Sequence, residues 1–127
     1  ANYLRYMERA RSDMLMLAGI DQRRTFEAGE GVYALANLEI AYKRPAKLDD
    51  VLIVESRVSR VRAAATDIEQ SIMRSDAEKR ELVTRAVVTA ALIAPDTNGV
   101  QRPVRQPAEW RETFTSLMEQ AKGDHAV

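Results

Sequence analysis

Few side chains in this sequence carry obvious chemistry. Glu8 stands one residue beyond Met7, beside what reads as the buried stripe of a helix. A carboxylate against an apolar wall could serve as a general base with a raised pKa. An ion pair with Arg5 or Arg11, or a solvated helix position, is the plainer reading. The stretch from Lys43 to Arg62 holds six cations (Lys43, Arg44, Lys47, Arg57, Arg60, Arg62) against Asp49, Asp50 and Glu55, six minus three, or +3 locally. Such a cluster could hold the phosphates of a nucleotide-like ligand, or simply solvate a sheet face. Asp49 and Asp50 could form paired carboxylates, but neighbours in sequence seldom face one target, and a polar turn accounts for them. The single histidine, His125, lies among the last residues. Chain ends are mobile and a catalytic base must be held near its proton, so it reads as inert. No Gly-rich phosphate loop, Gly-x-Ser-x-Gly turn or metal-spaced histidine pair occurs.

These residues must be placed by elements whose periods are legible. Tyr3 to Ala18 predicts a helix with Tyr3, Met7, Ala10, Met14 and Leu17 as its buried stripe, Asn2 as N-cap and Gly19 as stop. Asp21 to Ala28 predicts a short second helix. From Val32 to Tyr42 the period changes to two, with Val32, Ala34, Ala36, Leu38, Ile40 and Tyr42 on one face, and Pro45 ends the strand. Lys47 to Asp50 reads as a connection. Val51–Val61 and Ala63–Met73 predict two more strands, Ser75–Arg80 a polar turn, and Leu82–Ile93 a central strand apolar on both faces. Val100–Val104 reads as a short strand or extended tail. Pro107 to Ala121 predicts a surface helix with Trp110, Phe114, Leu117 and Met118 inward. A helix, a run of strands and a terminal helix make an α+β domain with an antiparallel sheet on the first helix. The sheet's edges invite pairing with a second copy.

Composition narrows the function. At 127 residues, 46% hydrophobic and 30% charged, the chain predicts one domain with a real core. With no cysteine, disulfide scaffolds, thiolate metal sites and cysteine nucleophiles are excluded, and a reducing compartment fits. Nineteen cations balance nineteen anions, which argues against a nucleic-acid binder.

The segment Ala1-Asn2-Tyr3-Leu4-Arg5-Tyr6-Met7-Glu8-Arg9-Ala10-Arg11, continuing through Asp13-Met14-Leu15 and Ala18-Gly19-Ile20, resembles the central helix of hotdog-fold acyl-CoA thioesterases. The strand and turn Ile40-Ala41-Tyr42-Lys43-Arg44-Pro45-Ala46-Lys47-Leu48-Asp49-Asp50 extend the likeness, as do Arg62, Gln70 and Arg105-Gln106-Pro107. The chain is most similar to the Tol-Pal-associated, YbgC-type branch of the 4-hydroxybenzoyl-CoA thioesterase family. The resemblance implies a long central helix wrapped by a curved antiparallel sheet and paired into a homodimer or tetramer. It implies hydrolysis of a fatty or aromatic acyl-CoA, with CoA as part of the substrate and no separate cofactor. Asn2 and Tyr3 would line the thioester end, and Arg62, with Arg60, would meet the CoA phosphates. The Ala63-Ala64-Ala65 that follows departs from the polar or basic residues usual there. The family's catalytic Asp, base or nucleophile, belongs to a loop upstream of Ala1. The expectation is a single hotdog domain over residues 1–127, lacking the first strand and that loop. The resemblance also implies a cytoplasmic protein with a peripheral link to membrane-associated machinery. The alternative is a non-catalytic hotdog module that binds an acyl group or serves assembly.

Overall fold

A computed structural model describes residues 3–29, 31–45, 51–76 and 79–125. The elements are α1 (Tyr3–Leu17), α2 (Gln22–Glu27), β1 (Val32–Tyr42), β2 (Val51–Val61), β3 (Ala65–Asp76), β4 (Lys79–Pro95), β5 (Gln101–Pro103) and α3 (Ala108–His125). Four long strands form an antiparallel sheet in the order β1-β4-β3-β2, and β5 pairs with the end of β4. The expected α+β architecture is present. Asn2 as N-cap and the connection Lys47–Asp50 lie outside the described residues.

Helix α1 lies on the sheet's inner face over two apolar clusters. Under its first half, Met7 meets Ile72, Val83 and Ala86, ringed by Tyr3, Leu38, Ile40, Leu52 and Val54. Under its last turn, Leu15 joins Ile20, Val58, Leu92, Trp110 and Phe114. Helix α3 thus closes the end of the sheet that α1 leaves uncovered. Each such side chain, buried, contributes on the order of 1.5–3 kcal/mol. β4 is central, as its two apolar faces predict.

Several local expectations change. Leu17 is 84% exposed, whereas Leu15 is buried. The helix ends at Leu17, and Gly19 at φ +78° turns the chain so that Ile20 N–H bonds to Leu15 O. The inward line is therefore Met7, Arg11, Leu15, in steps of four, with a cation in its middle. In β1 a bulge between Leu35 and Asn37 shifts the phase, so Tyr33 packs inward before it and Leu38 and Ile40 after it. The polar turn predicted at Ser75–Arg80 is mostly ladder. β3 reaches Asp76, β4 starts at Lys79, and an Arg74–Glu81 ion pair bridges them. β3 starts at Ala65, because Arg62 N–H bonds to Ala65 O in a tight turn. α3 runs four residues past Ala121, and His125 ends the helix instead of trailing from it.

Candidate active site

The first turn of α1 offers backbone N–H groups without intrahelical partners and the positive end of the helix dipole. Tyr3 fixes this turn on the sheet, its ring 6.0 Å from that of Tyr42 and tilted 35° to it, while Met7 is buried one turn on. No acid stands in this turn. The arrangement can stabilise a developing oxyanion but supplies no general base of its own.

Gln70 anchors the middle of α1 from below. It projects from β3 among Ile68 and Ile72, fully buried. Its Nε2 donates to Met7 O and Ser56 Oγ, both at 2.9 Å, and its Oε1 accepts from Arg11 Nη1 at 2.7 Å. One amide thereby joins α1, β2 and β3. Burial pulls the Arg11 guanidinium below its ordinary pKa, and the Glu8 carboxylate nearby opposes that shift. Glu8 itself is exposed and acts on Arg11 only through its charge.

β1 and α1 run in opposite directions, so Tyr42 lies at Tyr3 and Tyr33 lies near Leu15. The seam between them opens into a cavity of about 210 Å³. Leu15, Leu35, Ile68, Val88, Ala90 and Phe114 give it apolar surface. Glu8, Arg11, Ser12 and Gln22 give it polar groups.

Two cations of the basic run are answered in space. Arg62 pairs with Asp67, whose Oδ1 also accepts from Thr89 Oγ1 at 2.8 Å. Arg57 and Arg85 share Glu69, and Arg80 meets Glu55 at 3.2 Å. Asp67 and Glu69 come from β3, outside the run, so Arg62 and Arg57 are answered across the sheet and not along the chain. Arg60 faces outward opposite Asp67 in register, with no ion partner among the described residues. Arg60 and Arg62 also stand far from Tyr3. Tyr3 packs on the same cluster as Leu52 and Val54, and the strand from there to Arg60 and Arg62 spans roughly 20–33 Å. One chain does not bring Tyr3 together with Arg60 and Arg62. Lys43 and Arg44, both exposed, are the cations of the run at Tyr3's end. Asp49 and Asp50 lie outside the described residues.

A second buried glutamine was legible only as part of a tail motif. Gln106 accepts from Tyr33 Oη at 2.6 Å and Thr66 Oγ1 at 3.0 Å, and donates to Arg62 O at 2.8 Å and Ala65 O at 3.0 Å. It clasps the Arg62–Ala65 turn to β1 and β3. Burial pushes the Tyr33 hydroxyl well above its ordinary pKa.

Comparison with known proteins agrees with this geometry. Residues 1–116 match the family model described as the thioesterase-like superfamily. The acyl-CoA thioesterase YbgC of Haemophilus influenzae is 33% identical over 117 residues, covering 92% of this chain and 81% of that protein. Among solved structures, the 4-hydroxybenzoyl-CoA thioesterase of Pseudomonas sp. strain CBS-3 superposes with a TM-score of 0.74 at 22% identity, over 88% of this chain and 82% of that one. A 1,4-dihydroxy-2-naphthoyl-CoA thioesterase from Synechocystis gives 0.76 at 21%, over 91% and 81%. These structural likenesses establish the hotdog fold. With a family model spanning nearly the whole sequence and a helix-on-sheet architecture to match, the chain belongs to the thioesterase-like superfamily.

Proposed function

We propose that this protein is an acyl-CoA thioesterase, hydrolysing an acyl-CoA to free acid and CoA. The observation that carries the reading is the first turn of α1, seated on the apolar cluster by Tyr3 and Met7, at the head of a seam that leads to a cavity. The thioester carbonyl sits at that turn, where free N–H groups receive the oxyanion. Water oxygen adds to the carbonyl carbon, the C–S bond breaks, and the departing thiolate takes up a proton. The base that takes the proton from water, or the nucleophile that precedes it, is an Asp supplied upstream of Ala1. Asn2 and Tyr3 line the thioester end.

β1 is an edge strand among the described residues. Antiparallel pairing with β1 of a second copy would cover the seam. The distance between Tyr3 and the cations Arg60 and Arg62 supports a composite site, in which one subunit's arginines meet CoA phosphates bound at the other's helix. There a phosphate displaces Asp67 from Arg62. No resident cofactor is needed, because CoA arrives with the substrate. The likeness to the YbgC branch further supports a cytoplasmic homo-oligomer, dimer or tetramer, with a peripheral link to the Tol-Pal machinery. No described helix is long and apolar enough to cross a membrane.

The test is thiol release from a panel of fatty and aromatic acyl-CoAs, with the chain expressed together with the residues that precede Ala1 in its reading frame. The 127 residues hold no cysteine and add no thiol background of their own. Steady release of CoA supports the reading. Silence across the panel favours a non-catalytic acyl-binding or assembly module, for which the absence of an acid in the first turn of α1 is the motivating observation.

A further inference from the structure

The thioesterase reading leaves one feature of the seam unused. Arg11 lies on the inward line of α1 between Met7 and Leu15, a place where an apolar residue would add to the core. Its guanidinium carries five N–H donors. One is fixed on Gln70, and among the described residues no further acceptor holds the others. Gln70 is itself fully buried and bonded at every polar atom, so the guanidinium is seated on a rigid support. The same side chain lines the 210 Å³ cavity, beside Glu8 and Ser12 and opposite Ile68 and Val88.

Position along the helix gives this an order. Arg11 is eight residues from Tyr3, about 12 Å at 1.5 Å per residue. Leu15 lies one turn further. An acyl group whose carbonyl is held at the first turn and whose chain follows the seam passes Glu8, then Arg11, and then reaches the apolar end at Leu15 and Phe114. A long saturated chain must therefore strip water from a guanidinium and give it nothing in return, and that desolvation is costly. A chain that carries an oxygen where it meets Arg11 replaces the lost water with a charge-assisted hydrogen bond.

We propose that Arg11, seated on Gln70, is a specificity-determining residue: it selects acyl groups bearing a hydrogen-bond-accepting oxygen at that depth over saturated chains of equal length. The inference rests on the thioesterase reading and on the acyl group lying in the α1–β1 seam.

The experiment compares kcat/KM for paired acyl-CoAs of equal chain length, one saturated throughout and one hydroxylated at its far end, over a ladder of lengths. In the unmutated protein the hydroxylated member should win by about tenfold at the length that reaches Arg11, the discrimination expected of one charge-assisted hydrogen bond. Arg11→Leu should abolish or reverse that ratio, and Arg11→Lys, which keeps a donor, should restore part of it. A ratio of one or below at every length in the unmutated protein overturns the proposal without recourse to any variant, and so does a ratio unchanged in a folded Arg11→Leu protein. If no acyl-CoA is hydrolysed at all, the thioesterase reading is what has failed.

Discussion

Two glutamines are buried to the last atom in this protein, and their surroundings differ in one respect. Gln106 sits in a closed network. Tyr33, Thr66 and the carbonyls of Arg62 and Ala65 satisfy it, and although Tyr33 and Thr66 line the same cavity, each spends its hydroxyl proton on Gln106. Gln70 sits in an open one. It satisfies Met7 O and Ser56, but its third partner, Arg11, turns its remaining donors toward the α1–β1 seam. The closed network fastens a turn and a tail. The open network fastens a helix and at the same time presents charge to whatever enters the seam. The two networks thus differ in whether a partner keeps donors to spare at the cavity.

The contrast is sharpest at Gln106. Replacing it with Leu strands two hydroxyls and the bond it gives to Arg62 O, while Ala65 O keeps its bond from Arg62 N–H, a loss of about 3 kcal/mol. Chemical denaturation should report that loss, and thermal melting a fall of roughly 10 °C, while substrate preference in the surviving folded fraction stays as it was. Gln70→Leu should cost somewhat less, on the order of 2–3 kcal/mol, because Met7 O keeps its intrahelical bond. Unlike Gln106→Leu, it should also change the acyl preference by releasing Arg11. Equal preferences in the two variants would erase the distinction between open and closed networks.

A smaller effect separates Tyr33 from its hydroxyl. Tyr33→Phe removes one bond to Gln106 and should cost about 1 kcal/mol near neutral pH. The sign of the pH dependence follows from the direction of the shift. Burial raises the folded pKa of Tyr33 above its unfolded value near 10, so the protonated form is favoured in the fold. Its stabilising share is complete below about pH 10 and is lost as pH climbs from there toward the folded value. The unmutated protein should therefore lose stability more steeply than Tyr33→Phe above pH 10 in denaturation curves. The smallest effect is expected at Thr84. This residue is fully buried between Tyr42 and Ile72 in register, and its Oγ1 has no hydrogen-bond partner among the described residues. Thr84→Val keeps the shape and removes the stranded hydroxyl, so melting should show no loss and a gain of up to about 1 kcal/mol.

Much of the scaffold was legible because it depends on local period. The 3.6-residue recurrence from Tyr3, the alternation from Val32 and the stop at Gly19 are each written within a few residues. What resisted reading depends on distant partners. Leu17 and Leu15 differ by two positions on one helix, and only the placement of α3, through Trp110 and Phe114, decides which is covered. The β1 bulge flips Tyr33 inward because Gln106, 73 residues later, awaits its hydroxyl. The site followed the same rule. Tyr3 could be placed at the helix start from its own neighbourhood. The basic stretch from Lys43 to Arg62 could not be judged, because its counter-charges Asp67 and Glu69 arrive on another strand. One signal for Gln70 does stand in the sequence: it is the lone amide in the inward row Thr66, Ile68, Gln70, Ile72, and a buried amide requires partners.

The central claim is that the first turn of α1 holds the thioester while the α1–β1 seam takes the acyl group. A crystal structure with a non-hydrolysable acyl-CoA analogue, its thioester sulfur replaced by methylene, tests it directly. The ketone oxygen should lie within hydrogen-bond distance of first-turn amides of α1, and the acyl chain should run along β1 to Arg11. An acyl chain lodged instead in the groove on the other flank of α1, against Val54, Val58 and Leu117, with the ketone remote from Tyr3, would contradict it.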